Sequence, residues 1–304
     1  MISKTTSYHT ESLKKKLKKS VRTLRDYIFR GGTHSLPKDA RDIFAKIETG
    51  TAGGVNYSDM IGPGDHVSIF FNHYEIITRC KWFSPNWHIL DLGCGAGRFA
   101  AGMSAFLSPT ARYVGIDVVP TLVDFCTTEI SSRHKNFEFS CLKMANEYYD
   151  QYKGLDQDVV DRINWIDDVS EVCPDESMDA CMALSLFTHL NDEDTEFYFS
   201  KIFRLLKKNG QFFITALLIN PFVKDLLKSG RSRLGIEIDV SSDSHIYYPA
   251  ADNPMRTVVY DEAWFVEKLA EYGFGHVNSI LYGGWSGREL GVTFQDIILV
   301  HKCD

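Results

Sequence analysis

The sequence predicts an α/β fold: a doubly wound, mainly parallel seven-stranded sheet with a C-terminal antiparallel hairpin, plus an N-terminal helical extension. Three observations carry this. From Trp87 onward apolar runs of strand length alternate with segments of helical period. A Gly-rich turn, Asp91-Leu-Gly93-Cys-Gly95-Ala-Gly97, falls directly between the first such strand and the first such helix. The last two apolar runs are separated only by a Gly-rich loop, too short for a crossover helix, so they should pair antiparallel.

The elements follow in order. Residues 11–30 place Leu13, Leu17, Val21, Leu24 and Ile28 on one helical face and Lys14, Lys15, Lys16, Lys18, Lys19, Arg22 and Arg25 on the rest, which reads as a basic amphipathic helix. It suits docking on its own domain or a second subunit, or adsorption to an anionic membrane surface; nucleic acid is a weaker reading. Gly31, Gly32 and Pro37 then break the pattern, and the extension is assigned to residues 1–40. Within 41–304 the expected strands are 88–91, 113–117, 137–142, 178–184, 211–218, 276–282 and 294–301. Helices are expected over about 97–107, 121–133 and 192–208. The Gln211–Leu218 run is almost unbroken apolar, as a strand buried on both faces requires. The segment from 219 to 260 is Ser-, Asp- and Gly-rich and long for a connection, so it reads as a substrate cover.

Composition narrows the function. The chain has 304 residues, 44% of them hydrophobic and 24% charged, and no stretch approaches the length of a membrane span. No secretory signal pattern is visible at the N-terminus, which points to the cytoplasm. Seven scattered cysteines, with neither a C-x-x-C pair nor a His cluster, argue against a disulfide framework or a structural zinc. The net charge of −7 conceals a segment, 11–30, in which eight Lys or Arg face two acids. The acidic remainder excludes a general nucleic-acid binder.

The Gly-rich turn is the most informative motif. Glycines let the chain turn tightly and bring backbone close to a ligand, and the helix start offers N–H groups to a carboxylate. A dinucleotide fingerprint would need glycine at position 98, where the chain has Arg98, so the spacing D-x-G-x-G-x-G favours S-adenosyl-L-methionine over NAD. Asp117 ends the second strand, where an acid can accept both ribose hydroxyls, and Val118 follows it against the adenine. After the third strand the chain reads Leu142-Lys143-Met144, without an acid to meet the adenine amine. Backbone groups, Asp167 or Asp168 are the alternatives for that contact. The cofactor-binding candidates are thus Asp91, Gly93, Cys94, Gly95, Gly97, Arg98, Asp117, Val118 and Met144; no metal site is expected.

Over about residues 58–301 the sequence resembles bacterial class I S-adenosylmethionine-dependent methyltransferases, many of them encoded beside polysaccharide and natural-product genes. The resemblance rests on Ile61-Gly-Pro-Gly-Asp65, on His88 to Arg98, on Leu186-Phe-Thr-His-Leu190, and on Gly283-Gly-Trp-Ser-Gly-Arg288 with Gln295-Asp-Ile297. Lys143 and Asn209 depart from the family pattern. The resemblance implies a Rossmann-like fold in which Gly93, Gly95 and Gly97 flank the methionine, Asp117 holds the ribose, Leu184 lines the cofactor, and residues 61–65 cap the methionine end.

Methyl transfer from a sulfonium needs mainly an acceptor held in line, with a base to take its proton if it is a hydroxyl. His189, just past the fourth strand, is the catalytic candidate; His245, Tyr247, Tyr248 and Arg288 are weaker substrate-side ones. The expected activity is O-methylation of a small polar acceptor such as a sugar or glycan. The alternatives are an NAD(P)-dependent oxidoreductase or a catalytically idle methyltransferase-like binding module.

Overall fold

The computed structural model describes residues 36–52, 54–62, 64–80, 83–143, 157–241, 243–275, 277 and 280–303. The basic segment 11–30 and Met144 lie outside the described residues.

A short hairpin, β1 (Thr51–Ala52) and β2 (Val55–Asn56), precedes the main sheet. The sheet itself holds β3 (Ile89–Leu92), β4 (Tyr113–Asp117), β5 (Phe137–Leu142), β6 (Trp165–Ile166), β7 (Met178–Ala183), β8 (Leu206–Ala216), β12 (Ile280–Leu281) and β13 (Asp296–His301). Its order is β12-β13-β8-β7-β3-β4-β5-β6. All seven expected strands are present. The eighth, β6, is a two-residue parallel addition at the edge of β5, too short to show a period. Strands β3 to β8 run parallel, and β13 pairs antiparallel with both β8 and β12, giving the expected closing hairpin.

The pleat explains the two cores. Ile89, Tyr113 and Phe137 face one layer, with Phe44, Phe70, Phe99 and Leu122 from helices Lys38–Thr49, His66–Arg79, Arg98–Met103 and Pro120–Cys126. Leu90, Val114 and Phe212 face the other, with Phe199 and Phe265 from helices Asp192–Leu205 and Glu262–Glu271. Every residue of β3 and β4 is buried, as helices on both faces demand. Helix Lys38–Thr49 spans the boundary expected at residue 40 and buries Ala40, Ile43, Phe44 and Ile47 in the first layer, so the extension's last residues belong to the core.

The fifth expected strand differs in extent. Helix Asp192–Leu205 stops early, β8 begins at Leu206, and it ends at Ala216. The chain then leaves the sheet: the buried Asp296 carboxylate accepts Leu218 N–H at 2.9 Å, and β9 (Leu218–Ile219) joins a second sheet with β10 (Ile246–Tyr247) and β11 (Val259–Asp261). The 219–260 segment is thus an ordered lobe. It contains helix Pro221–Lys228 and a small core in which Val223, Ile238, Val240, Tyr247 and Val259 meet Leu217 and Trp285. Strands of two or three residues give no readable alternation, and two of the core residues come from outside the segment.

Chain direction places the site. From β3 the chain moves outward through β4 and β5, then returns to the other side of β3 as β7 and β8. In such sheets the crevice opens at this switch, beyond the carboxyl ends of the strands.

Candidate active site

At that switch lies a cavity of about 350 Å³. Its walls include Asp91, Gly93, Cys94, Gly95 and Arg98 from the first turn, Asp117 and Val118 after β4, and Leu142 at the end of β5. Leu184 and His189 line it from the far side of β3. Of the described cofactor-binding candidates and His189, only Gly97 is not among the lining residues.

The turn wraps the end of β4. Gly93, Gly95 and Gly97 have φ of +72°, +55° and +70°, the left-handed region that favours glycine. The N–H groups of Gly93 and Cys94 both donate to Ile116 O at 2.8 and 3.0 Å, Gly95 N–H donates to Asp117 Oδ2 at 2.8 Å, and Gly97 N–H to Cys94 O at 3.0 Å. These four turn N–H groups are bonded within the protein, which leaves the helix start at Arg98 as the place where backbone N–H groups could meet a carboxylate. Gly97 serves packing. A Cβ there would stand 2.5 Å from Ile130 Cδ1 and 2.9 Å from Cys126 Sγ. Gly95 is similarly closed by Ile61, whose Cγ2 would lie 2.7 Å from an added Cβ.

Asp117 is buried, and its two oxygens accept Gly95 N–H and Val119 N–H at 2.8 and 3.0 Å. Burial raises its pKa, opposed by those backbone donors. Each oxygen retains acceptor capacity, and the side chain lines the cavity, which is what a vicinal diol needs. Asp91 is buried, accepts Tyr113 O–H at 2.5 Å, and is pushed up to about 7 by desolvation. Arg98 beside it is lowered to about 10, again by desolvation, with Asp91 acting in the opposite sense. Arg98 Nη1 lies 3.5 Å from Nδ1 of the fully buried His66, whose Nε2 meets Ser58 Oγ at 2.9 Å. Desolvation lowers His66 to about 4, so it adds no second cation beside Arg98 at neutral pH.

The opposite end is polar. Ser185 follows β7 in a left-handed conformation, φ +65°, that costs a non-glycine residue about 1–2 kcal/mol. Its bonds over-determine that conformation: Ser185 N–H donates to Thr215 Oγ1 (2.7 Å), Thr188 O–H donates to Ser185 O (2.7 Å), and Ser185 O–H donates to Gln295 Oε1 (3.1 Å). Thr215 O–H also donates to Gln295 Oε1, at 2.6 Å, a length proper to O–H···O. With its oxygen taken twice, the Gln295 amide leaves its N–H groups for the cavity it lines. His189 Nδ1 bonds Met255 O at 2.9 Å, where it must donate because a carbonyl can only accept, and the backbone of Arg256 also contacts the ring. Desolvation lowers His189 to about 4.

The 219–260 lobe brings Leu234 and Arg256 to the wall, and Ile61 and Gly62 arrive from the 61–65 segment. Asp65 instead caps helix His66–Arg79, accepting Ser68 N–H. Asp167 pairs with Lys143 at 3.1 Å, and Asp168 pairs with Lys201 at 2.6 Å while capping Ser170; neither lines the cavity. Nor do the weaker candidates: His245 meets Asp192 at 3.1 Å and stacks on Trp264, Tyr247 is buried in the lobe's core, and Tyr248 and Arg288 also lie outside the wall. Ser185, Thr188, Arg256 and Gln295 went unassigned from sequence. Thr188 and Gln295 lie in segments that carry the family resemblance, but nothing local marks their hydroxyl and amide.

Residues 90–214 match the family model described as a methyltransferase domain. The fold is similar to that of a SAM-dependent methyltransferase from Methanosarcina mazei, 14% identical over 74% of this chain and 97% of that one, with TM-score 0.46. It is similar to magnesium protoporphyrin IX methyltransferase from Synechocystis PCC 6803 with bound SAH, 11% identical over 87% and 100%, TM-score 0.47. A SAM-dependent methyltransferase from Aquifex aeolicus is 15% identical over 81% and 95%, TM-score 0.47. Residues 90–214 thus carry the match to a methyltransferase domain, which supports an enzyme of that type that uses S-adenosylmethionine. Among the described residues no helix is long and apolar enough to cross a membrane, and no group of three or more His, Cys, Asp or Glu could hold a metal ion.

Proposed function

We propose that this enzyme methylates a hydroxyl oxygen of a small polar acceptor such as a sugar or glycan, in the cytoplasm. The observation that carries the reading is one cavity that joins an acid-and-glycine end at Asp117 to a hydrogen-bonding end at Ser185, Thr188, His189 and Gln295.

At the first end Asp117 would accept the ribose hydroxyls, Val118 and Leu142 flank the adenine, and Gly93, Cys94 and Leu184 border the methionine chain. Arg98, on the cavity wall at the start of its helix, is the partner for the methionine carboxylate, and Asp91 the partner for its amine. Met144 keeps the adenine role read from sequence. When bound, S-adenosylmethionine supplies an already activated sulfonium methyl group. The chain's work is to position the acceptor and receive a proton. Gln295 N–H groups orient an acceptor oxygen. His189 Nε2 takes the hydroxyl proton, and the Met255 carbonyl holds the ring in that tautomer.

His189→Gln is expected to lower kcat by about 100-fold or more while S-adenosylhomocysteine affinity stays within about two-fold. Because burial holds His189 near 4, the wild-type rate should be flat above about pH 5 and fall below it as the imidazole protonates. An unchanged kcat would leave proximity alone as the mechanism. The acceptor class is tested with methyl-labelled cofactor against sugars, glycans and simple phenols. Label on a phenol and on none of the carbohydrates would overturn it.

A further inference from the structure

Outside the wall of the cavity, two loops are joined backbone to backbone, and their arginines are left together. Arg233 N–H donates to Trp285 O at 2.7 Å. Gly287, φ +90°, sits so close that a Cβ would stand 2.2 Å from Arg231 O, and one on Gly284 would stand 3.2 Å from Arg233 Nη1. Arg288 follows in the same loop, its Cζ 4.0 Å from the centroid of the Tyr282 ring and 4.6 Å from that of Phe222. Three arginines thus meet at residues 283–288, Arg233 and Arg288 through their guanidinium groups and Arg231 through its backbone and Cβ.

None of the three makes an ion pair among the described residues, whereas the nearby Lys224 and Arg256 are paired with Asp243 and Asp252. The adjacent carboxylates accept from other donors, although Arg288 acts on Asp296 through space and opposes the rise that burial gives its pKa. Asp296 accepts Gly283 N–H, Leu218 N–H and Trp285 Nε1–H at 2.7, 2.9 and 2.7 Å. Glu262 accepts Tyr282 O–H at 3.0 Å and Asn220 Nδ2–H at 2.7 Å. Arg288 Nε is buried with no hydrogen-bond partner, an expensive state for a guanidinium donor. The cluster borders the acceptor end: Leu234, next to Arg233, lines the cavity, as do Phe294 and Gln295. Phe222, against Arg288, and Phe294, on the cavity wall, are about half exposed, at 54% and 51%.

We propose that Arg231, Arg233 and Arg288 form an oxyanion subsite at the mouth of the cavity, which binds a phosphate group carried by the methyl acceptor, with Phe222 and Phe294 against its less polar part. The inference rests on the functional reading above and narrows it to phosphorylated acceptors. Guanidinium forks suit phosphate oxygens, and aromatic stacking holds Arg288 ready for them.

The test is calorimetric titration of the full chain, saturated with S-adenosylhomocysteine, using phenyl phosphate, inorganic phosphate and phenol at constant ionic strength. Phenyl phosphate should bind with a dissociation constant on the order of 1 mM, tighter than inorganic phosphate, while phenol should not saturate. Arg231→Gln and Arg233→Gln, both at exposed positions, should each weaken phenyl phosphate at least ten-fold and leave S-adenosylhomocysteine affinity unchanged. Absence of saturable phenyl phosphate binding, or affinity unaltered in both variants, would overturn the subsite. Cofactor-product binding without phosphate binding would remove the subsite alone; phosphate binding without cofactor-product binding would remove the functional reading.

Discussion

Asp117→Ala is expected to weaken S-adenosylhomocysteine binding by at least about 100-fold, a loss of about 3 kcal/mol or more. Two hydrogen bonds from ribose hydroxyls to one charged carboxylate are worth about 1.5–3 kcal/mol each. The substitution also strips Gly95 N–H and Val119 N–H of their acceptor, so the turn that borders the methionine chain loosens as well. Asp117→Asn should fall between, because one amide oxygen still accepts. Calorimetric titration of both variants, with circular dichroism to show that they are folded, measures this. Wild-type affinity in Asp117→Ala would show that the carboxylate serves only to tie the turn.

Gly97→Ala is expected to destabilise the fold by about 3 kcal/mol, the sum of a left-handed alanine and an overpacked contact. The contact is with Ile130 and Cys126, both buried, which leaves the new methyl no room. For a chain of this size the melting temperature should drop by about 6–12 °C. Gly230→Ala is the control. It shares the conformation, φ +71°, but nothing lies within 4 Å of its added Cβ, so only the strain of about 1–2 kcal/mol applies. Equal melting temperatures for the two variants would refute the packing role assigned to Gly97.

Gly97 also shows where sequence reasoning stopped. A glycine demanded by close approach looks the same whether the neighbour is a ligand or Ile130, and the turn's pattern alone cannot separate them. Strands Tyr113–Asp117 and Phe137–Leu142 were legible to the residue, since each is a short, mostly apolar run set between segments of helical period. Asp117 was legible because its role follows from position: it ends a strand beside the Gly-rich turn. The acceptor end was not. The left-handed Ser185 is set by bonds to Thr215 and Gln295, 30 and 110 residues away, and no local pattern encodes those partners. The lobe at 219–260 was seen only as a long polar connection, because its strands are too short for periodicity and its core borrows Leu217 and Trp285. His189 was found by proximity to a strand end, but the carbonyl that sets its tautomer comes from Met255, 66 residues on.

Titration of the wild-type chain with S-adenosylhomocysteine, set beside NADH, tests the central claim most directly. The geometry around Asp117, Arg98 and the Gly93–Gly95 turn predicts saturable binding of S-adenosylhomocysteine at about micromolar concentration and none of NADH. Saturable NADH binding without S-adenosylhomocysteine binding would contradict it and make the cavity a dinucleotide site.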